Sequence, residues 1–164
     1  MRIFGLAGWS GSGKTTLLTA LIPQFVARGL VVSTVKHAHH EFDIDRPGKD
    51  SWRHREAGAR EVMVASSRRW ALMHELRGAP EPPLEELTAQ MSPCDLLLVE
   101  GFKFHPHPKL EVHRPSLGKP LLYPEDPHIV AIASDEAFPA PLPLLPIADP
   151  PAIAGFILDR LGLG

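Results

Sequence analysis

The chain of 164 residues carries 17 basic against 19 acidic side chains, a formal net charge of −2, so no global field draws it to nucleic acid or to anionic lipid. Its single cysteine, Cys94, excludes an internal disulfide framework and any multi-cysteine zinc or iron–sulfur site, and no apolar run approaches the roughly 20 residues that span a bilayer. With 44% hydrophobic and 22% charged residues, the composition is that of one soluble domain over residues 1–164, expected in a reducing cytoplasm.

Arg2 to Ala7 is a short apolar run that stops at Gly8 and predicts a first strand. Lys14 to Arg28 follows with Leu17, Leu18, Leu21, Ile22 and Phe25 at helical spacing, and Gly29 stands where a helix C-cap belongs. Leu30 to Val35 reads as a buried strand, which completes a βαβ unit. A polar loop from His37 to Gly48 leads to a helix over Asp50–Ala59 with an acidic first turn. Glu61–Ala65 and Ala71–Leu76 read as short strands around the turn Ser66–Arg69, the second being compatible with a helix as well. A helix is expected over Leu84–Met91, and Asp95–Val99 is the most strand-like segment, ending at Glu100–Gly101.

Leu110–His113 and Ile129–Ala133 are further strands, with a proline-bearing loop through Lys119–Pro127 between them. Prolines confine Leu144–Ala148 to a sheet edge. A last helix opens with Asp149 as N-cap and Pro150–Pro151 in its first turn, its apolar stripe being Ile153, Phe156, Ile157 and Leu161.

Residues 8 to 15, G-W-S-G-S-G-K-T, satisfy the pattern G-x-x-x-x-G-K-[ST] at every fixed position, between a strand and a helix. The glycines let successive N–H groups turn inward, forming an anion nest at the positive end of the helix. Gly8, Ser10, Gly11, Ser12, Gly13, Lys14, Thr15 and Thr16 are therefore the candidate phosphate-binding residues, with the Thr15 hydroxyl on Mg²⁺. The fold expected around such a loop is a P-loop NTPase: a three-layer α/β/α sandwich with a mostly parallel central sheet and an antiparallel edge extension. Glu100, an acid closing a run of buried apolar residues, is the candidate metal partner and, with Lys14, the candidate catalytic pair.

Asp43 and Asp45, in the loop after the second strand, are offered either as further Mg²⁺ ligands or as members of a solvated loop. The same loop carries His37, His39 and His40, and His105 and His107 follow later. Imidazole suits zinc, but neither cysteines nor a regular helical spacing supports that reading.

Together, GWSGSGKTT, VKHAHHEFDIDRPGKDSWRHREAGA and LLLVEGFK resemble the molybdopterin-guanine dinucleotide biosynthesis protein B family, over most of residues 1 to 135. The resemblance implies a homodimeric GTP-binding protein of weak GTPase activity. It would be an adaptor in molybdenum cofactor maturation, beside the molybdopterin guanylyl transferase that joins a guanylyl group to molybdopterin. GTP and Mg²⁺ are the implied cofactors; the transferase and molybdopterin or molybdenum cofactor are the implied partners. Position 9 is Trp9 rather than lysine, so the signature of the related partitioning ATPases is missing.

Guanine-specific P-loop proteins present an Asn/Thr-Lys-x-Asp segment after a late strand; here that place reads A-I-A-S-D, with Asp135 at its end and no preceding lysine. Asp135 is either a guanine reader or a helix N-cap for Glu136 onward. Two other functions stay open: a small-molecule kinase, with Arg46, Arg53, Arg55, Arg60, Arg68 and Arg69 as a possible lid, and a GTP-dependent metallochaperone using the nine histidines. Arg53, Lys103 and Lys109 are candidate cations for a molybdopterin phosphate, and an unpaired strand at 71–76 or 110–113 could extend a sheet between subunits.

Overall fold

The computed structural model describes residues 1–38, 42–102 and 105–164. The expectations that fall on His39, His40 and Lys103 lie outside the described residues. Contacts divide the chain into two compact units, one of Met1–His37 with Met91–Gly164 and the other of Ala38–Gln90.

The first unit holds strands β1 (Arg2–Ala7) and β2 (Val32–Lys36) around helix α1 (Lys14–Val26). The second unit contributes α2 (Asp50–Glu56), β3 (Glu61–Ala65), β4 (Trp70–His74) and α3 (Leu84–Ala89). The first unit resumes with β5 (Leu96–Glu100), β6 (Lys109–His113), β7 (Ile129–Ser134), β8 (Leu144–Pro146) and α4 (Pro150–Leu161). Its sheet is six-stranded, ordered β2-β5-β1-β6-β7-β8, and every neighbouring pair is parallel. The expected antiparallel part exists as a separate two-stranded sheet of β3 and β4, with Glu61 opposite His74. This is the α/β architecture of a P-loop NTPase sandwich.

Position in the sheet explains how far each strand is buried. β5 and β1 lie inside it, and the Leu96–Glu100 run is buried throughout, as a strand covered on both faces must be. The apolar run Leu30–Val35 predicts a buried strand, but β2 lies at the sheet edge and its residues are half-buried or exposed. β8 occupies the opposite edge, where Pro146 removes no ladder bond from a central strand.

Alternation along the strands sends Phe4 and Leu6, Leu96 and Leu98, Leu110 and Val112, and Ala131 and Ala133 to one face. There they pack against Leu17, Leu18, Leu21 and Phe25 of α1 and Ile153, Ala154, Ile157 and Leu158 of α4. Gly29, at φ +80°, ends α1 through bonds from its own N–H to Val26 and from the Leu30 N–H to Phe25. Asp149 caps α4 as expected, its Oδ1 accepting the Ala152 N–H at 3.1 Å.

The other face of β6 is polar and yet closed. Lys109, which sequence reasoning offered as a surface cation for a phosphate, is fully buried. Its ammonium donates to the His105 carbonyl at 2.7 Å and to Asp126 at 3.0 Å, so it is an internal tie and not a docking group. Two residues on, the buried Glu111 carboxylate accepts the backbone N–H groups of Leu122 and Tyr123. Burial pushes its pKa up, and those N–H groups pull the other way. Strand β6 thereby fixes the loop that sequence reasoning could only leave irregular.

His107 is 3% exposed and shares a 2.8 Å Nδ1–Nδ1 hydrogen bond with His105, while its buried Nε2 has no hydrogen-bond partner among the described residues. Desolvation first, then the Lys109 charge, lower its pKa from 6.5 to about 4. A histidine held neutral in the fold contributes stability that is full above pH 6.5 and is lost as pH falls from there toward 4, by up to about 3 kcal/mol. Urea denaturation at pH 7.5 and 4.5 should show a smaller acid loss in His107→Gln than in the native chain. Equal losses would mean that this imidazole is not the group responsible.

Candidate functional site

The site is built where β1, β5 and β6 end, since the loops that follow parallel strands open on one side of the sheet. Gly8, at φ +148°, leaves β1, and Gly13, at φ +97° and ψ 16°, caps α1. Between them the Ser12 N–H closes on the Trp9 carbonyl at 3.2 Å. The Lys14 ammonium crosses the loop and donates to the Gly8 and Trp9 carbonyls, both at 2.9 Å. Ser10, Thr15 and Thr16 are exposed, whereas Ser12 is buried and its hydroxyl has no hydrogen-bond partner among the described residues.

Glu100 closes β5 beside Leu6 of β1 and Lys36 of β2. Its buried carboxylate accepts the Thr15 hydroxyl at 3.0 and 3.2 Å, and the Lys36 ammonium stands 3.7 Å away. A hydroxyl and a carboxylate brought together at the foot of a phosphate nest are the hard oxygen donors that Mg²⁺ takes, usually one or two from the protein with water and phosphate completing the shell. The residues therefore fit a magnesium-bound nucleotide.

Gly101, at φ +98°, follows at once; a Cβ there would come within 2.6 Å of the His37 Cβ, which accounts for glycine after Glu100. The His37 N–H donates to the Glu100 carbonyl at 2.8 Å, and its ring packs on Phe102.

Asp43 and Asp45 belong to the second unit, and their contacts within it are extensive. The Asp45 N–H and then Arg55, at 2.7 Å, hold the Asp43 carboxyl below its usual range. Asp45 accepts the Ser51 hydroxyl at 2.8 Å and stands 3.8 Å from Arg55, which also reaches Glu75. The six arginines considered for a kinase lid all lie in this unit. Among the described residues no group of three or more His, Cys, Asp or Glu side chains could hold a metal ion.

Asp135 follows the last residue of β7, and no helix starts at Glu136, so the N-cap alternative does not apply. Its carboxylate pairs instead with Arg114 at 2.5 Å. Sequence reasoning passed over Arg114, because its place beside the P-loop follows from the strand order and not from a local pattern. Trp9, read from the sequence only as the absence of a signature lysine, donates its Nε1–H to the Pro120 carbonyl at 2.8 Å, and Lys119 lies over its ring.

A profile of the family described as MobB, molybdopterin guanine dinucleotide synthesis protein B, matches residues 3–135. The molybdopterin-guanine dinucleotide biosynthesis adapter protein of Haemophilus influenzae is 45% identical over 163 residues, 97% of this chain and 89% of the relative. The Escherichia coli protein of the same name is 43% identical over 160 residues, 96% of this chain and 91% of the relative. Among solved structures, the chain is similar to molybdopterin-guanine biosynthesis protein B, with a TM-score of 0.77 and 28% identity over 97% of this chain and 99% of that one. A MobB homologue from Bacillus stearothermophilus gives a TM-score of 0.72 and 25% identity, with all of both chains covered.

Proposed function

The chain belongs to the MobB family, and from that premise we propose that it is a GTP-binding adapter of low intrinsic GTPase activity in molybdopterin guanine dinucleotide synthesis. The observation that carries the nucleotide part is the meeting of the Thr15 hydroxyl with the Glu100 carboxylate at the foot of the loop spanned by Lys14. Gly8 to Thr16 would bind the phosphates through backbone N–H groups and the Lys14 ammonium. Thr15 and Glu100 would hold Mg²⁺, which when bound neutralises phosphate charge. Glu100 is also the group in reach to orient a water for slow hydrolysis, and Asp135 is the candidate reader of guanine.

In this reading the protein acts in the cytoplasm as a homodimer. It serves the molybdopterin guanylyl transferase, with molybdopterin or molybdenum cofactor as the shared cargo. No helix among the described residues is long and apolar enough to cross a membrane.

Titration calorimetry with GTP and ATP in Mg²⁺ tests the reading. Expected are GTP binding roughly tenfold tighter than ATP, and a loss of about a hundredfold in Lys14→Ala, the worth of a charge-assisted contact to phosphate. Equal affinities, or a preference for ATP, would overturn the guanylyl reading and bring the kinase forward.

A further inference from the structure

The strand order places β6 between the P-loop strand β1 and β7, the strand that delivers Asp135. His113, the last residue of β6, is in register with Ser134, so Arg114 emerges opposite Asp135. Pro115 follows, disfavouring a helical backbone at Arg114, which is extended at φ −125° and ψ 110°. The turn Pro115–Leu117 is closed by the Leu117 N–H on the Arg114 carbonyl at 3.0 Å. The side chain is thus launched from a well-tied piece of backbone.

Its guanidinium spans the two elements on either side. Nε donates to the Ser12 carbonyl of the P-loop at 3.0 Å, and Nη1 pairs with Asp135 Oδ2 at 2.5 Å. Nη2 lies so near the loop that a Cβ on Gly13 would come within 3.4 Å of it. Gly13 gives the helix its positive-φ start, and a side chain there would stand in ordinary contact with this arginine. The planar fork of Arg114 can bridge a carbonyl and a carboxylate at once, which a lysine ammonium on a flexible stem does less well.

We propose that Arg114 is a specificity-determining positioning residue, which locks the Asp135 carboxylate to the P-loop so that phosphate and base are read in one register. The proposal rests on the reading of Asp135 as the guanine acceptor. A carboxylate has about four lone-pair sites; Arg114 uses one on Oδ2, leaving the rest for the N1–H and N2–H donors of guanine, which adenine does not present together. The cation that this sequence lacks two residues before Asp135 is supplied from the end of the neighbouring strand.

The experiment is calorimetric titration of the full chain and of Arg114→Ala, Arg114→Lys, Asp135→Ala and the double variant Arg114→Ala/Asp135→Ala with Mg²⁺-GTP and Mg²⁺-ATP. The expected result is a fall of about tenfold in the GTP-to-ATP preference in Arg114→Ala, partial recovery in Arg114→Lys, and no further fall in the double variant beyond Asp135→Ala. If Arg114→Ala weakens both nucleotides by one factor and keeps the preference, the residue only supports the loop and the proposal is overturned. If the native chain discriminates but Asp135→Ala still does, the base is read elsewhere, and the proposal falls while GTP binding stands. If the native chain shows no preference, the functional reading itself falls, and the proposal with it.

Discussion

Lys109→Ala is expected to lower the free energy of unfolding by about 3–5 kcal/mol, the usual cost of removing one partner of a buried ion pair. Lys109 is 0% exposed and its partner Asp126 is 16% exposed at the side chain, so the substitution strands a carboxylate in a nearly dry place. The His105 carbonyl loses its donor at the same time, and the missing stem leaves a cavity beside Gly5, where an added Cβ would already meet Lys109 Cγ at 3.0 Å.

Urea denaturation at pH 7.5 measures the loss. The double variant Lys109→Met/Asp126→Asn should recover a good part of it, because an apolar stem fills the volume and no lone charge remains. Lys109 also helps keep His107 neutral, so in Lys109→Ala the imidazole titrates closer to its ordinary value and the acid-dependent loss shrinks. A Lys109→Ala chain as stable as the native one, with an unchanged acid loss, would contradict the whole account of this face of β6.

That face marks where sequence reasoning stops. The P-loop was legible because its glycines, lysine and threonine are adjacent in the chain and each answers a local requirement. Leu96–Glu100 was legible for a similar reason: a short, uninterrupted apolar run closed by one acid and a glycine fits a buried strand with its acid at the end. Asp149 announced α4 by capping chemistry that reaches only three residues forward.

What stayed hidden depends on who stands next to whom. Leu30–Val35 reads the same whether its strand lies in the middle of a sheet or at the edge, and only the order β2-β5-β1 decides that. Lys109 looks like any surface lysine until the loop carrying Asp126, seventeen residues on, folds over it. Arg114 and Asp135 are 21 residues apart, and Arg114 and Ser12 are 102 apart, so no local pattern links them. Their meeting follows from β6 lying between β1 and β7, a fact of topology.

The second large effect is expected at Gly8, and it separates two reasons for glycine that sequence motifs merge. A methyl at Gly8 would lie 2.5 Å from the Val112 carbonyl oxygen and 2.7 Å from Ser12 Oγ, on a backbone at φ +148°. Val112 belongs to β6, whose neighbours β1 and β7 keep it in place, so the loop has to give way. The Gly8 carbonyl that receives Lys14 would move with it. Gly8→Ala should therefore cost roughly 2–4 kcal/mol in nucleotide-free unfolding and weaken GTP by more than about a hundredfold. Gly11 also has a positive φ, +82°, but the nearest atom to an added Cβ is Leu117 Cδ2 at 4.0 Å. Gly11→Ala should cost only about 1 kcal/mol in unfolding, the price of the left-handed backbone alone. Chemical denaturation of the two variants side by side makes the comparison, with calorimetry following the nucleotide. Equal unfolding costs would mean that backbone conformation, and not the approach of β6, is what demands glycine at the mouth of the loop.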